Sequence, residues 1–153
     1  MVLKVASAVG GAFSAKMLQI VYPEQIEAQE FEELLDRLVE LELLSIQIHD
    51  GRRLYDFRHA IIQKVTYDLL SFAQRRSLHK DIAVCTERLN EGRLEPFYAQ
   101  LAQHWELADQ GRLAIGYLEL AAEQAPAQLR EPGRSRVSAQ GPATGATDPE
   151  RRR

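Results

Sequence analysis

The residues that could do chemistry concentrate between Tyr55 and His79. His59 follows a predicted strand, Leu54–Phe57, and stands at the start of a predicted helix. The first turn of a helix has free backbone amides and a partial positive charge, and both favour an anion. His59 is therefore the first candidate for an anion contact. The alternative is a histidine that only caps the helix or packs at the junction between strand and helix.

A second candidate is a basic cluster at helical spacing, Arg75, Arg76, His79 and Lys80. Such a cluster can contact an anion or a nucleic acid. It can also be a solvated helix face, because exposed basic side chains usually pair with nearby acids. The acids within reach are Asp68, Asp81 and Glu87. We favour the solvated face.

Metal binding and nucleophilic catalysis have little support in the sequence. No two of the four histidines stand three or four residues apart, as ligands on one helix face would. Cys85 is the single cysteine and lies among apolar helical positions, which favours a core residue over a nucleophile. Trp105 is likewise predicted to be a core residue. We expect no catalytic residue, no metal and no cofactor, and hence no enzyme activity.

The composition is that of an ordinary globular domain, with 45% apolar and 27% charged residues. The net charge of −3 conceals a split, because residues 126–153 carry +3 and the preceding residues −6. A body this acidic is not a general polyanion binder. No apolar run approaches the ~18 residues that span a bilayer, and the N-terminus does not read as a signal peptide. We expect a cytoplasmic protein with no membrane partner.

Three short helices are predicted at the start of the chain. The first, Val2–Val9, ends at Gly10–Gly11, and the second, Ala15–Val21, begins after Ser14, a good N-cap residue. The third is predicted over Glu27–Leu44, where apolar residues recur at 3.6-residue spacing. This is the strongest helical pattern in the chain.

A β-hairpin is predicted to follow the three helices. Ser45–His49 alternates in polarity, and Leu54–Phe57 forms the returning strand. Asp50–Gly51 between them favours a type I′ turn, in which both central residues have positive φ. Three helices followed by a hairpin is the order of a winged-helix domain. We assign this domain to residues 1–57.

The rest of the ordered chain is predicted to be helical, which makes the protein mainly α. Residues 58–94 form connecting helices, and residues 95–125 form a helical hairpin, Phe97–Asp109 and Arg112–Gln124, of the tetratricopeptide type. One such repeat cannot bury its own apolar face. We therefore expect self-association through the exposed apolar flank of this repeat. The flank consists of Leu101, Leu113, Ile115, Tyr117 and Leu118.

Residues 126–153 are predicted to be a disordered tail, because Leu129 and Val137 are their only large apolar side chains. One hypothesis is that this tail is frame-shifted sequence, and the alternative is a native disordered segment. The chain also begins inside an apolar helix and has a single repeat. We interpret it as a fragment of a longer protein.

A winged helix raises the alternative of DNA binding, in which the third helix enters the major groove. The polar face of Glu27–Leu44 carries six acidic residues and one Arg, so the DNA phosphates would repel it. The tip of the hairpin adds only Arg52 and Arg53. We therefore expect no nucleic-acid partner.

Most of residues 2–125 resembles the region behind the ATPase module of class III adenylate/guanylate cyclases of the soluble adenylyl cyclase type. It also resembles related signal-transduction (STAND) ATPases. The matching stretches are VLKVASAVG, FSAKMLQIVYP, DFRHAIIQKVTYDLLSFAQRRSLHKDIA, YAQLAQHWELADQ and AIGYLELAAEQA. In that family the order is cyclase domain, ATPase domain, winged helix and helical repeats. This sequence contains neither a G-x-x-x-x-G-K-[ST] loop nor the cyclase's pair of metal-binding aspartates.

The resemblance implies a specific role for His59. In signal-transduction ATPases, a histidine in the first turn after the winged-helix hairpin contacts the phosphates of the bound nucleotide and locks the closed, ADP-bound state. His59 occupies that place here, with Ala60 where the family usually has an acidic residue. His59 is thus implied to be a nucleotide-sensing position in the full-length context.

The expected function is a non-catalytic regulatory and protein-interaction fragment of a cyclase-like or STAND-type signalling protein. It would couple nucleotide state to partner binding in the full-length parent. The expected partner is a protein, either the ATPase module of the parent or a separate partner. The alternatives are a small winged-helix DNA-binding regulator and an accessory subunit of a nucleotide cyclase or ATPase complex.

Overall fold

The computed structural model describes residues 1–124 and is mainly helical, with one small antiparallel sheet. The helices are α1 (Val2–Val9), α2 (Ala15–Val21), α3 (Ala28–Glu40), α4 (Ala60–Asp68), α5 (Phe72–Leu89), α6 (Tyr98–Leu107) and α7 (Gly111–Gln124), and the strands are β1 (Leu44–His49) and β2 (Arg52–Phe57). The predicted fold class, mainly α with one β-hairpin, is confirmed at this level. The predicted tail, residues 126–153, lies outside the described residues.

The first two helices begin and end where the sequence predicts. Gly10 terminates α1 with φ of 86°, a left-handed conformation that glycine adopts without steric cost. Ser14 caps α2, because its hydroxyl oxygen accepts a hydrogen bond from the Met17 backbone N–H at 3.2 Å. A tight turn between Gly10 and Ser14 brings α2 back against α1.

The third helix is shorter than predicted, since α3 ends at Glu40 and not at Leu44. Glu42 adopts a left-handed φ of 59°, and the next amide, Leu43 N–H, bonds back to the Leu38 carbonyl at 3.0 Å. This is a Schellman ending, which releases the chain into β1. The prediction was wrong because it read the apolar run as one helix and had no glycine to mark the stop.

The hairpin has the predicted turn. Asp50 and Gly51 have φ of 48° and 71°, as a type I′ turn requires, and Leu44 pairs with Phe57 at the open end. Phe13, between α1 and α2, exchanges two backbone hydrogen bonds with Tyr55 at 2.8 and 2.9 Å. The hairpin is thereby fixed to the helical part of the chain.

A break separates α4 from α5. Ser71 accepts a hydrogen bond from the Gln74 backbone N–H, and the Gln74 side chain accepts one from the Ser71 N–H at 2.9 Å. This capping box satisfies two backbone donors that would otherwise lack partners. The chain therefore changes direction at residues 69–71.

The main core extends beyond the predicted winged helix. Its fully buried side chains include Phe13, Phe31 and Tyr55, and it also contains Leu78 and Ile82 of α5. The connecting helices thus complete the core that residues 1–57 begin. The division of the chain at residue 57 stays a prediction.

A second, smaller apolar cluster holds α6 and α7 against α5. It contains Ala83, Leu101, Trp105, Ala108 and Ala114. Alanines at the contact allow the helices to approach closely. Trp105 is a core residue, as predicted, and so is Cys85 in the main core. Leu101 was predicted to be exposed and is fully buried, because α5 covers it.

Candidate functional site

His59 lies at the first turn of α4, where the sequence places it. It is the N-cap residue, its side chain is exposed, and it makes no side-chain cap hydrogen bond. Its backbone carbonyl accepts from the Ile62 N–H at 3.0 Å, so the helix begins there without help from the imidazole. The imidazole therefore does not cap the helix, and the nucleotide-sensing role of His59 stays a prediction.

The basic cluster divides into members with different surroundings. The Arg75 guanidinium lies 3.5 Å from Asp68 and covers the Tyr67 ring, and Arg76 pairs with Asp109 at 3.0 Å. Arg76 fits the solvated-face interpretation. Arg75 is partly buried, and its Nε also donates to the Leu70 carbonyl at 3.1 Å. His79 does not belong to the face, because it points inward and is buried.

A chain of polar side chains crosses the interior at His79. The Tyr67 hydroxyl lies 2.9 Å from His79 Nε2, and His79 Nδ1 lies 2.9 Å from His104 Nδ1. These three groups belong to α4, α5 and α6. The other ring nitrogen of His104, Nε2, is buried and has no hydrogen-bond partner among the described residues.

Both imidazoles are neutral near pH 7. Burial lowers the pKa of His79 to about 4, with the nearby Arg75 charge acting in the same direction. Burial likewise lowers the pKa of His104 to about 4, and His79 adds to the effect. In a neutral pair one Nδ1 donates to the other. When Tyr67 donates to His79, His79 donates to His104, and His104 Nε2 carries a proton that has no acceptor.

This polar chain borders a cleft of about 710 Å³ between α1, α4 and α6. The opposite wall of the cleft is the end of α1 and the turn after it. The polar side chains of the lining are Ser7, Gln63, Lys64, Tyr67, Gln100, Gln103 and the two histidines. Lys64 pairs with Asp68 at 2.8 Å, and this contact holds the pKa of Asp68 below its ordinary value. The volume falls within the range of small-ligand sites.

A carboxylate joins the last three helices. Glu87 accepts hydrogen bonds from Trp105 Nε1 at 2.9 Å and from the Tyr117 hydroxyl at 2.8 Å. Burial, together with this carboxylate, raises the pKa of Tyr117 to about 12. The contact is structural, because both donors belong to aromatic residues that pack in or against the second core.

Four exposed apolar side chains occur along α4 and the turn that follows it. They are Ile61, Val65, Leu69 and Phe72, and we call them the α4 patch. The first three lie four residues apart and share one side of the helix. Ile61 is 64% exposed and Phe72, at the start of α5, is 85% exposed. Two other apolar side chains of this segment, Ile62 and Leu70, contact the core, and the patch does not.

The surface of α7 carries a second set of exposed apolar side chains. Leu113, Ile115 and Leu118 are exposed, as predicted for the flank of an unpaired repeat. Tyr117 is half-buried and is engaged with Glu87. The predicted flank is therefore smaller than expected, because Leu101 and Tyr117 serve the packing of α6 and α7.

The polar face of α3 is acidic, as predicted. Glu30, Glu32 and Glu33 are exposed. Arg53 from the hairpin forms an ion pair with Asp36, so this arginine is engaged within the protein. Binding a phosphate through Arg53 would require breaking this ion pair, which makes phosphate binding at the hairpin tip less favourable.

Residues 1–124 contain no cluster of three or more histidine, cysteine or acidic side chains that could hold a metal ion. Over the same residues, no helix is long and apolar enough to cross a membrane.

The sequence did not single out His104 and placed His79 in a surface cluster. The two histidines are 25 positions apart, so no local spacing links them. The sequence does contain an indication that His104 is buried, since this residue lies between Leu101 and Ala108, which are both buried. A polar residue on a buried helix face needs a partner, and that requirement points to a second polar residue inside.

Comparison of the chain with protein-family models, curated proteins and solved structures gave no match.

Proposed function

We propose that this chain is a non-catalytic interaction module that docks onto a nucleotide-binding ATPase module and responds to its nucleotide state. The observation that carries the proposal is the exposed apolar patch on α4, next to His59. The wider context is the resemblance to cyclase-like and STAND-type signalling proteins. In that context residues 1–57 are a winged helix and residues 95–125 the first tetratricopeptide-like hairpin.

The arrangement of the N-terminal elements supports the winged-helix assignment. Three helices precede the hairpin, and the Phe13–Tyr55 pairing ties the segment between the first two helices to the returning strand. Such a pairing extends a two-stranded wing into a small sheet. The close packing of α6 and α7 through alanines supports the repeat assignment.

The patch on α4 supports docking to a protein. Burying apolar surface is favourable by about 25 cal/mol per Å². A phenylalanine ring that stays in solvent contributes none of this free energy, although its surface is large. Phe72 and Leu69 are each more than half exposed and contribute little to the core. A partner that covers them would recover that free energy.

The position of His59 supports an ATPase module as that partner. His59 is the N-cap of α4 and Ile61 lies in the first turn, so a protein that covers the patch and this end of the helix would lie near the imidazole. The helix N-terminus adds a partial positive charge at the same end. A phosphate group presented by the partner would meet both features.

The test is a binding titration between the full chain and the ATPase module encoded at the same locus. The module is loaded with ADP in one series and with a non-hydrolysable ATP analogue in the other. We expect binding in the ADP series that is about tenfold tighter than in the ATP series, because a 1.4 kcal/mol contact is worth that factor. His59→Ala should reduce the difference between the two series.

Three outcomes contradict the proposal. One is a locus that encodes no ATPase module, and another is no binding in either series. The third is equal binding in both series, which removes the nucleotide coupling. A DNA-binding regulator would instead show salt-sensitive DNA binding. The acidic surface of α3 argues against that alternative.

A further inference from the structure

We propose that the cleft between α1, α4 and α6 binds a small anion with phosphate or carboxylate oxygens, and that His104 is its buried hydrogen-bond donor. This inference goes beyond the docking function, because it concerns a ligand that the chain binds alone, in a cleft that shares with the docking surface the N-terminal end of α4.

The strongest support is the unsatisfied nitrogen of His104. The residue is 3% exposed, and its Nε2 has no partner among the described residues. A buried polar atom without a hydrogen-bond partner costs about 1–3 kcal/mol, and native proteins keep few of them. The other nitrogen already bonds to His79. A ligand oxygen would complete the chain that runs from Tyr67 through both histidines.

The charge of the lining favours an anion. Among the described residues that line the cleft, Lys64 carries a full charge and none carries a carboxylate. This differs from the rest of the body, which is strongly acidic. Lys64 is paired with Asp68, which also contacts Arg75 at 3.5 Å. Because Arg75 can retain Asp68, Lys64 can turn to a ligand at modest cost.

Neutral donors supply the rest of the site. The side-chain amides of Gln100 and Gln103 line the cleft and can donate to oxygen atoms. Gln63 Nε2 already donates to the Ser7 carbonyl at 3.4 Å, which leaves its second N–H for a ligand. Ala60, the first residue of α4, also lines it, so the positive end of that helix faces the same space. Amide donors and a helix N-terminus are both common in sites for oxyanions.

The arrangement does not favour a metal ion. Both ring nitrogens of His79 are engaged, with Tyr67 and with His104, so His104 Nε2 is the one nitrogen of the pair left for a metal. A single nitrogen ligand does not make a metal site, and residues 1–124 hold no cluster of three or more possible ligands. A single water molecule is the simplest competing occupant of His104 Nε2. The experiment must therefore distinguish an anion from water.

The test is an NMR titration of the histidine ring nitrogens in the full chain at pH 7.5. Inorganic phosphate is added in one series and acetate in the other, with chloride used to hold the ionic strength constant. We expect a saturable shift of the His104 Nε2 resonance, with Nε2 protonated. Saturation by phosphate alone identifies a phosphate site, and saturation by acetate alone identifies a carboxylate site. Saturation by both shows that the site recognises the shared oxyanion chemistry.

Three variants test the assignment. His104→Phe removes the donor at similar volume and should weaken binding about tenfold, the value of one hydrogen bond to an anion. Lys64→Gln should weaken binding about two- to fivefold, as expected for an exposed ion pair. Lys16→Gln is the matched control, because Lys16 is an exposed lysine on α2 that does not line the cleft. It should bind as the parent chain does.

Two results would overturn the proposal. The first is no saturable shift at His104 with either anion, which leaves water as the occupant. The second is an equal shift at the exposed ring of His49, which indicates a general ionic effect. If His104→Phe fails to fold, the exposed Gln103→Leu takes its place. Binding that is unchanged in both Lys64→Gln and Gln103→Leu also overturns the proposal.

Discussion

His79 Nδ1 and His104 Nδ1 lie 2.9 Å apart inside the protein, on two different helices. The contact joins α5, which completes the main core, to α6, which belongs to the second cluster. Tyr67 extends it to α4. A polar contact at this place fixes the relative position of the three helices, because either histidine loses its partner if they slide.

The histidine pair predicts how stability depends on pH. Each imidazole has an ordinary pKa of 6.5, and the folded protein lowers it to about 4. Between these values the unfolded chain binds more protons than the folded one, so the free energy of unfolding rises with pH. We expect the contribution of the pair to be complete above about pH 6.5 and to be lost as the pH falls towards 4, by about 1–3 kcal/mol.

Urea unfolding at pH 7.5, 6.0 and 5.0 measures this dependence. His79→Gln should flatten the change between pH 6.5 and 5. His59→Gln, an exposed histidine, should follow the parent chain. The same slope in His79→Gln and the parent would show that the buried pair does not control acid stability.

The two hydrogen bonds to Glu87 predict that replacing this residue lowers stability more than its position near the surface would indicate. Glu87→Ala leaves the Trp105 indole N–H and the Tyr117 hydroxyl without their acceptor. We expect a loss of about 1–3 kcal/mol in the free energy of unfolding. The measurement is urea unfolding followed by the fluorescence of Trp105. Glu106→Ala, an exposed change on α6, should alter stability by less than about 0.5 kcal/mol. Equal effects of the two changes would contradict this role for Glu87.

The capping box at Ser71 predicts a local effect. Ser71→Ala removes the acceptor of the Gln74 N–H and should destabilise the start of α5 by about 1 kcal/mol. Hydrogen exchange should then be faster at Gln74 and its neighbours than in the parent chain. Ser77→Ala, at an exposed position of the same helix, is the control. Unchanged exchange at Gln74 would mean that the cap does not hold the helix start.

Local signals account for the parts of the fold that the sequence predicted. The bounds of α1 and α2, the Asp50–Gly51 turn and the course of α7 each depend on residues next to one another in the chain. A cap, a glycine or a two-residue turn restricts its own backbone, whatever the rest of the protein does. Such features can be recognised without a structure.

The parts that could not be predicted depend on contacts between distant residues. The end of α3 needs a glutamate in a left-handed conformation, and the burial of Leu101 needs α5 above it. The histidine pair and its cleft need three helices in place. Periodicity identifies an apolar face, but tertiary packing decides which side of α4 stays exposed.

The central claim, that the α4 patch is a docking surface, is tested most directly by changing its side chains. Val65→Ser combined with Phe72→Ser removes two exposed members of the patch, and Ile20→Ser combined with Ile48→Ser is the matched control on other exposed apolar residues. The measurement is the affinity of each form for the ADP-loaded ATPase module. We expect the patch variant to lose at least about tenfold in affinity, about 1.4 kcal/mol, with an unchanged melting temperature, and the control to bind normally. Normal binding by the patch variant, or an equal loss in both forms, would contradict the account.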